Sequence, residues 1–215
     1  MAETKAVTRN INSFKSKLAG GVRPNLFNVR INFPQRVKSG VGTGSGTDLE
    51  TESSYLCRSA ALPASTQGLI EVPFRGRFLK IPGDRTFEAW TATFYNTKDF
   101  NLRRAFELWI NYANKSDENV GVLDFGEIGG ETNKAESYFS DLVIQQKSKQ
   151  TGKSKDILRE YHLIGAWPTN VSAINLAYDS NDQIEEFDVE FQYQYLDAKN
   201  GPNELSGKGD LTKPF

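Results

Sequence analysis

Between Ile184 and Tyr195 the chain reads IEEFDVEFQYQY and alternates without a break. Glu185, Phe187, Val189, Phe191, Tyr193 and Tyr195 share one parity; Ile184, Glu186, Asp188, Glu190, Gln192 and Gln194 share the other. Successive side chains of a strand point to opposite faces. The pattern therefore predicts one long strand with an aromatic face for a core and an acidic, polar face for water. Leu26–Phe33 alternates in the same way, with Phe27, Val29, Ile31 and Phe33 on the apolar parity, and Pro34 ends it. Thr86–Tyr95 sets Phe87 and Tyr95 against Trp90, Ala92 and Phe94. Apolar residues on both parities predict a strand covered on both sides.

Further strands are expected at Ser54–Leu62, at Leu69–Phe74 paired with Gly76–Ile81, at Tyr138–Gln146 and at Asp156–Ile164. Pro82–Gly83–Asp84 reads as a turn. Val171–Tyr178 is expected to form a hairpin with the long strand through Asp179–Ser180–Asn181–Asp182. The 3.6-residue period emerges clearly once, from about Asp99 to Asn114. There Leu102, Ala105, Phe106, Trp109, Ile110 and Ala113 form a stripe, and Asn96–Asp99 offers capping side chains. Ile11, Phe14 and Leu18 predict a short amphipathic helix that stops at Gly20–Gly21, inside an arm that orders against a neighbour.

Residues 35–53, with glycine at 40, 42, 44 and 46, read as a flexible loop, and the acidic, glycine-rich residues 116–137 as another. The fold class is therefore mainly β: an antiparallel β-sandwich or barrel with one flanking α-helix. The expected organisation is an N-terminal arm (1–22), a β-domain (23–196) with inserted loops at 35–53 and 115–137, and a C-terminal tail (197–215).

The 215 residues can build a core without disulfide or metal, and 38% hydrophobic with 25% charged residues suits a globular domain. A net charge of −1 provides no overall basic field for nucleic acid. No segment resembles a secretory leader or a membrane span, so no membrane insertion is expected. The single cysteine, Cys57, reads as a small buried hydrophobe, and the single histidine, His162, lies within a strand. No GxSxG, GxxxxGK[ST], GxGxxG or calcium-loop pattern accompanies them, so neither catalysis nor a cofactor or metal is expected. Lys147, Lys149, Lys153 and Lys155 crowd one expected hairpin tip and form a candidate interaction loop, with a solvated turn as the plain alternative.

Four separated stretches carry a family likeness: RPNLFNVRI at 23–31, CRSAALPAS at 57–65, GDRTFEAWTATFYN at 83–96, and WPTNVSAINLAYDSNDQIEEFDVEF at 167–191. In order and spacing they resemble the tail tube proteins of long contractile-tailed bacteriophages. The likeness covers roughly 23–33, 54–114 and 156–196. It implies a β-sandwich or barrel whose copies close into six-membered rings. Those rings stack into a tube through which DNA leaves the virion without specific binding. The implied partners are the chain itself, the tail sheath protein, and the baseplate and tail terminator proteins. The implied location is the phage tail, after synthesis in the bacterial cytoplasm. The loop at 35–53, the tail at 197–215 and the arm are longer than a compact member needs.

If strands from six copies merge into one inner barrel, the polar parity faces the bore, and Glu186, Asp188 and Glu190 become candidate lumen-facing residues. Two other functions fit less of the pattern. One is a tube-fold baseplate or tail-completion protein that nucleates or caps the tube. The other is a β-barrel module for nucleic acid or carbohydrate, which needs exposed aromatics beside a basic groove.

Overall fold

The computed structural model describes residues 10–18, 21–42, 48–116, 138–149 and 157–200. In chain order the elements are α1 (Ile11–Leu18), β1 (Phe27–Ile31), α2 (Gln35–Val41), α3 (Leu49–Leu56), β2 (Cys57–Ala60), β3 (Ser65–Phe74) and β4 (Arg77–Phe87). Then follow β5 (Trp90–Tyr95), α4 (Asn101–Ala113), β6 (Ser140–Lys147), β7 (Ile157–Val171), β8 (Glu186–Gln192) and β9 (Tyr195–Asn200). All strand pairs are antiparallel. The main sheet runs β1-β6-β7-β8-β5-β2, with β9 on the other side of β7, while among the described strands β3 and β4 pair only with each other.

The long strand β7 joins two layers. Its first part, up to Ala166, pairs with β6 and β9; its last part, Trp167–Val171, pairs with β8. The bend sits at Gly165, whose φ of 62° is a left-handed conformation that costs glycine little. At the same level the chain breaks between β8 and β9, and the Gln194 amide donates to the Ile164 carbonyl at 3.0 Å. One layer is thus β1-β6-β7-β9 and the other β2-β5-β8-β7, an open sandwich folded along β7. The described strands do not close into a barrel.

Both layers send their apolar parity inward. Val29, Ile31, Leu142, Ile144 and Leu163 meet Trp90, Phe94, Phe187, Val189 and Phe191, and α4 adds Leu102, Ala105, Phe106 and Trp109. Helical spacing places those four α4 residues on one buried face, as the sequence stripe requires. The two buried indoles are satisfied: Trp90 Nε1 donates to the Ala61 carbonyl at 2.6 Å and Trp109 Nε1 to that of Tyr138 at 2.7 Å.

Several expectations change. Residues 35–53, expected as a loop, hold α2 and the start of α3. Val37, Val41 and Leu49 are buried there, and Asp48 caps α3 by accepting from the Glu50 amide at 3.2 Å. Ser54–Leu56, expected as strand, continue α3, so that strand shortens to β2. Pro82–Gly83–Asp84 is not a turn but the interior of β4, where Gly83 passes so close to Gly68 that a β-carbon would lie 3.2 Å from its backbone. The turn of this hairpin is Arg75–Gly76, both at positive φ, the sign that two-residue hairpin loops favour.

Helix α4 starts without a capping side chain. Phe100 occupies the cap position, and Asn96, expected as a cap, donates to Glu185 Oε2 at 2.8 Å instead. The expected strand at Val171–Tyr178 is absent; β7 extends to Val171 and 172–185 form a loop. The expected long strand is two, β8 and β9, and the break reverses the parity, so Tyr195 is exposed while Ala198 is buried. Residues 197–200, expected to open the tail, lie in β9. The strand at Trp90 is covered on one side only, because Thr91 and Thr93 face outward.

Candidate functional site

The outward face of the β2-β5-β8-β7 layer carries the acidic parity. Glu186, Asp188 and Glu190 stand two residues apart along β8, so their carboxylates share one face at a spacing of roughly 7 Å. Each has a distinct setting. Arg58 on β2 pairs with Glu186. Asp188 Oδ1 accepts from Thr93 Oγ1 at 2.7 Å, and that hydroxyl accepts from Ser59 Oγ at 3.0 Å. The Asp188 amide donates to Ser172 Oγ at 2.8 Å. Glu190 lies in register with Thr91 on one side and Asn170 on the other, and Thr169 Oγ1 donates to its carbonyl at 3.2 Å.

The sheet thus assembles a surface of three carboxylates, one guanidinium and a field of short hydroxyls. The acids were legible in the sequence. Arg58, Ser59, Thr91, Thr93 and Ser172 were not singled out, although the alternating threonines of β5 were a usable signal. A net acidic, hydroxyl-lined face repels polyanions and holds water; it has no nucleophile paired with a base.

Only Lys147 and Lys149 of the candidate lysine loop fall within the described residues. Lys147 ends β6, in a cleft of about 670 Å³ that it shares with Arg30, Asp48 and Glu50, so charges of both signs meet there. Lys149 follows it, and Lys153 and Lys155 lie outside the described residues. His162 Nε2 is 3.4 Å from Glu160 Oε2. Among the described residues no three His, Cys, Asp or Glu side chains gather to hold a metal. No described helix is long and apolar enough to cross a membrane.

Cys57 sits at the α3–β2 junction, and burial pushes its thiol up to about 12. A raised thiol pKa leaves almost no thiolate at pH 8. Alkylation by iodoacetamide at pH 8 should therefore be many times slower in the native protein than in guanidinium, as read by mass spectrometry.

A second surface stands apart from the sandwich. Every residue of β3 is exposed. In register, Ile70 opposes Ile81 and Val72 opposes Leu79, with Phe74 beside them, so one side of the hairpin is an open apolar strip. The opposite side carries the Glu71–Lys80 ion pair at 3.6 Å.

The chain is similar to known proteins in sequence and in fold. The phage tail tube protein family matches residues 22–198. Tail tube protein gp19 of Enterobacteria phage T4 is 30% identical over 173 residues, which cover 80% of this chain and 89% of that protein. The tail tube protein of Serratia phage KSP90 is 28% identical over 186 residues, covering 85% and 93%. Among solved structures, the tube-terminating cap of the anti-feeding prophage superposes with a TM-score of 0.54 at 15% identity, over 94% of this chain and 100% of that one. The sheath–tube complex of an extracellular contractile injection system gives 0.51 at 15% identity, over 86% and 97%. These two likenesses establish the shared fold. With its family match running from before β1 into β9, the chain belongs to the phage tail tube protein family and is a structural component of the virion tail.

Proposed function

We propose that copies of this chain close into six-membered rings, that the rings stack into a tube, and that the face bearing Glu186, Asp188 and Glu190 lines its bore. The observation that carries this reading is the combination of that face with two free edges. β2 lies at one edge of its layer, and the Trp167–Val171 stretch of β7 lies at the other. Unpaired strand edges template pairing with another chain, and a head-to-tail contact that repeats around an axis closes into a ring. Joining β2 of one copy to β7 of the next continues the layer into a wall whose apolar side is already filled by its own core. Its inner side would be acidic and hydroxylated, so a passing duplex is repelled rather than held. The apolar strip of β3–β4 supplies the remaining contact between copies. The sheath, baseplate and terminator proteins are the expected partners of the finished tube.

Concentrated pure protein should give hollow rings or tubes in negative stain. Virions carrying Glu186→Lys, Asp188→Lys and Glu190→Lys together should still contain tubes of normal length but release DNA several-fold more slowly when triggered. Unchanged release kinetics in such particles would remove these residues from the bore. Copy number per virion separates a tube subunit, present in many rings, from a capping or nucleating protein, present in one.

A further inference from the structure

Two surfaces of this molecule are left open and complement each other. The first is α1. It buries no residue, and Ile11, Phe14 and Leu18 are 79%, 65% and 52% exposed. The helical period puts these three on one stripe, with Lys15 on one flank and Lys17 on the other. Helix α1 carries no acidic residue in its first turn and ends basic. A helix of this length is marginal without packing, so its stripe needs a surface. It lies before residue 22, where the family match begins.

The second is a shallow cleft of about 1110 Å³ formed by the loop between β7 and β8. Leu176, Tyr178 and Ile184 are exposed there, and every charged residue lining it is acidic: Asp182, Glu185 and Glu186. Arg58 occupies Glu186 and Asn96 occupies Glu185, which leaves Asp182 as the outermost carboxylate. The cleft is concave, so it suits one helical stripe better than the flat strip of the β3–β4 hairpin.

We propose that α1 of one copy docks in the β7–β8 cleft of a second copy. Phe14 and Leu18 would lie over Leu176 and Ile184, with Lys15 beside Asp182. Each chain holds one α1 and one such cleft, so the contact repeats around a ring with none left over, and between stacked rings with only the end rings unfilled. Binding of this kind uses an apolar stripe for affinity and flanking charge for register. This inference rests on the proposed assembly into a tube, and it adds a latch that the β-domain alone does not contain.

The test uses the full chain with Cys57→Ala in two batches, one carrying Phe14→Cys and the other Leu176→Cys, mixed, assembled and treated with a short bismaleimide. The expected result is a mixed dimer joined between the two positions. A parallel batch with Phe78→Cys in place of Phe14→Cys should give none. Normal tubes without the Phe14–Leu176 product, or with the product formed from Phe78 instead, overturn the latch and leave the tube reading intact. If the unmodified chain forms no rings or tubes at all, both fall. A charge swap provides a second readout. Lys15→Glu should raise the protein concentration needed for assembly roughly tenfold, because the attraction to Asp182 becomes a like-charge repulsion, and adding Asp182→Lys should recover most of it. An unchanged assembly threshold for Lys15→Glu, or no recovery by the pair, overturns the proposed register.

Discussion

Replacing residues 68–84 by a short Gly-Ser turn is expected to abolish tube assembly while leaving a folded monomer. The two halves of that result come from different parts of the structure. β3 and β4 pair with each other and with no strand of the main sheet, so their removal breaks no ladder of the sandwich. Nor does the core lose anything, because its buried residues all come from elsewhere in the chain. A two-stranded hairpin in water is marginal, and this one presents Ile70, Val72, Phe74, Leu79 and Ile81 together on one side. Apolar strips of that kind mark interaction surfaces. Thermal unfolding should shift by no more than a few degrees, while sedimentation changes from large particles to a single slow species at every concentration tested. Tubes formed by the shortened protein would remove the hairpin from the contact between copies. A finer variant, Val72→Glu with Leu79→Glu, should give the same separation of folding from assembly without shortening the chain.

How much of this was legible in the sequence follows from where each element finds its information. The alternation in β8 is local, and it placed Phe187, Val189 and Phe191 inward and Glu186, Asp188 and Glu190 outward. It held for Tyr193 and failed at Tyr195, because nothing in a period-two pattern marks the level at which the partner strand bends. That level is set by Gly165 on β7, some thirty positions away. α2 was missed because seven residues containing Gly40 give only one helical pair, Val37 and Val41, too little to outweigh a run of glycines. Pro82 and Gly83 read as a turn from composition. Yet a proline is tolerated in a strand whose outer side has no partner, and Gly83 is needed for its approach to Gly68. The acidic residues of the candidate site could be named, but Arg58 could not be matched to Glu186 across 128 positions. Long-range pairing is a property of the sheet register rather than of any segment.

Phe106→Ala is expected to reverse the hairpin result, with the fold strongly destabilised and assembly weakened only in consequence. Phe106 is fully buried on α4 and touches the cores of both layers. Its ring centroid lies 5.4 Å from Phe33 after β1, 5.4 Å from Phe94 on β5, 6.2 Å from Phe187 and 5.8 Å from Phe191 on β8. Removing a buried phenyl group from such surroundings costs about 3–5 kcal/mol, since a rigid cage of aromatic rings cannot collapse into the space. Domain stabilities are on the order of 5–15 kcal/mol, so the loss takes a large share of the margin. In urea the midpoint should fall sharply at an unchanged m-value, the mark of lost stability without a change in the surface exposed. Phe106→Leu keeps most of the volume and should lose less than half as much, separating a cavity from a need for the ring itself. A loss under 1 kcal/mol for Phe106→Ala would mean that the sheets do not meet through α4. The sandwich that positions Glu186, Asp188 and Glu190 would then need another support. With the expected loss, the helix that closes the core also steadies β5 and β8, whose own ladder sets their register, and the acidic face depends on that packing.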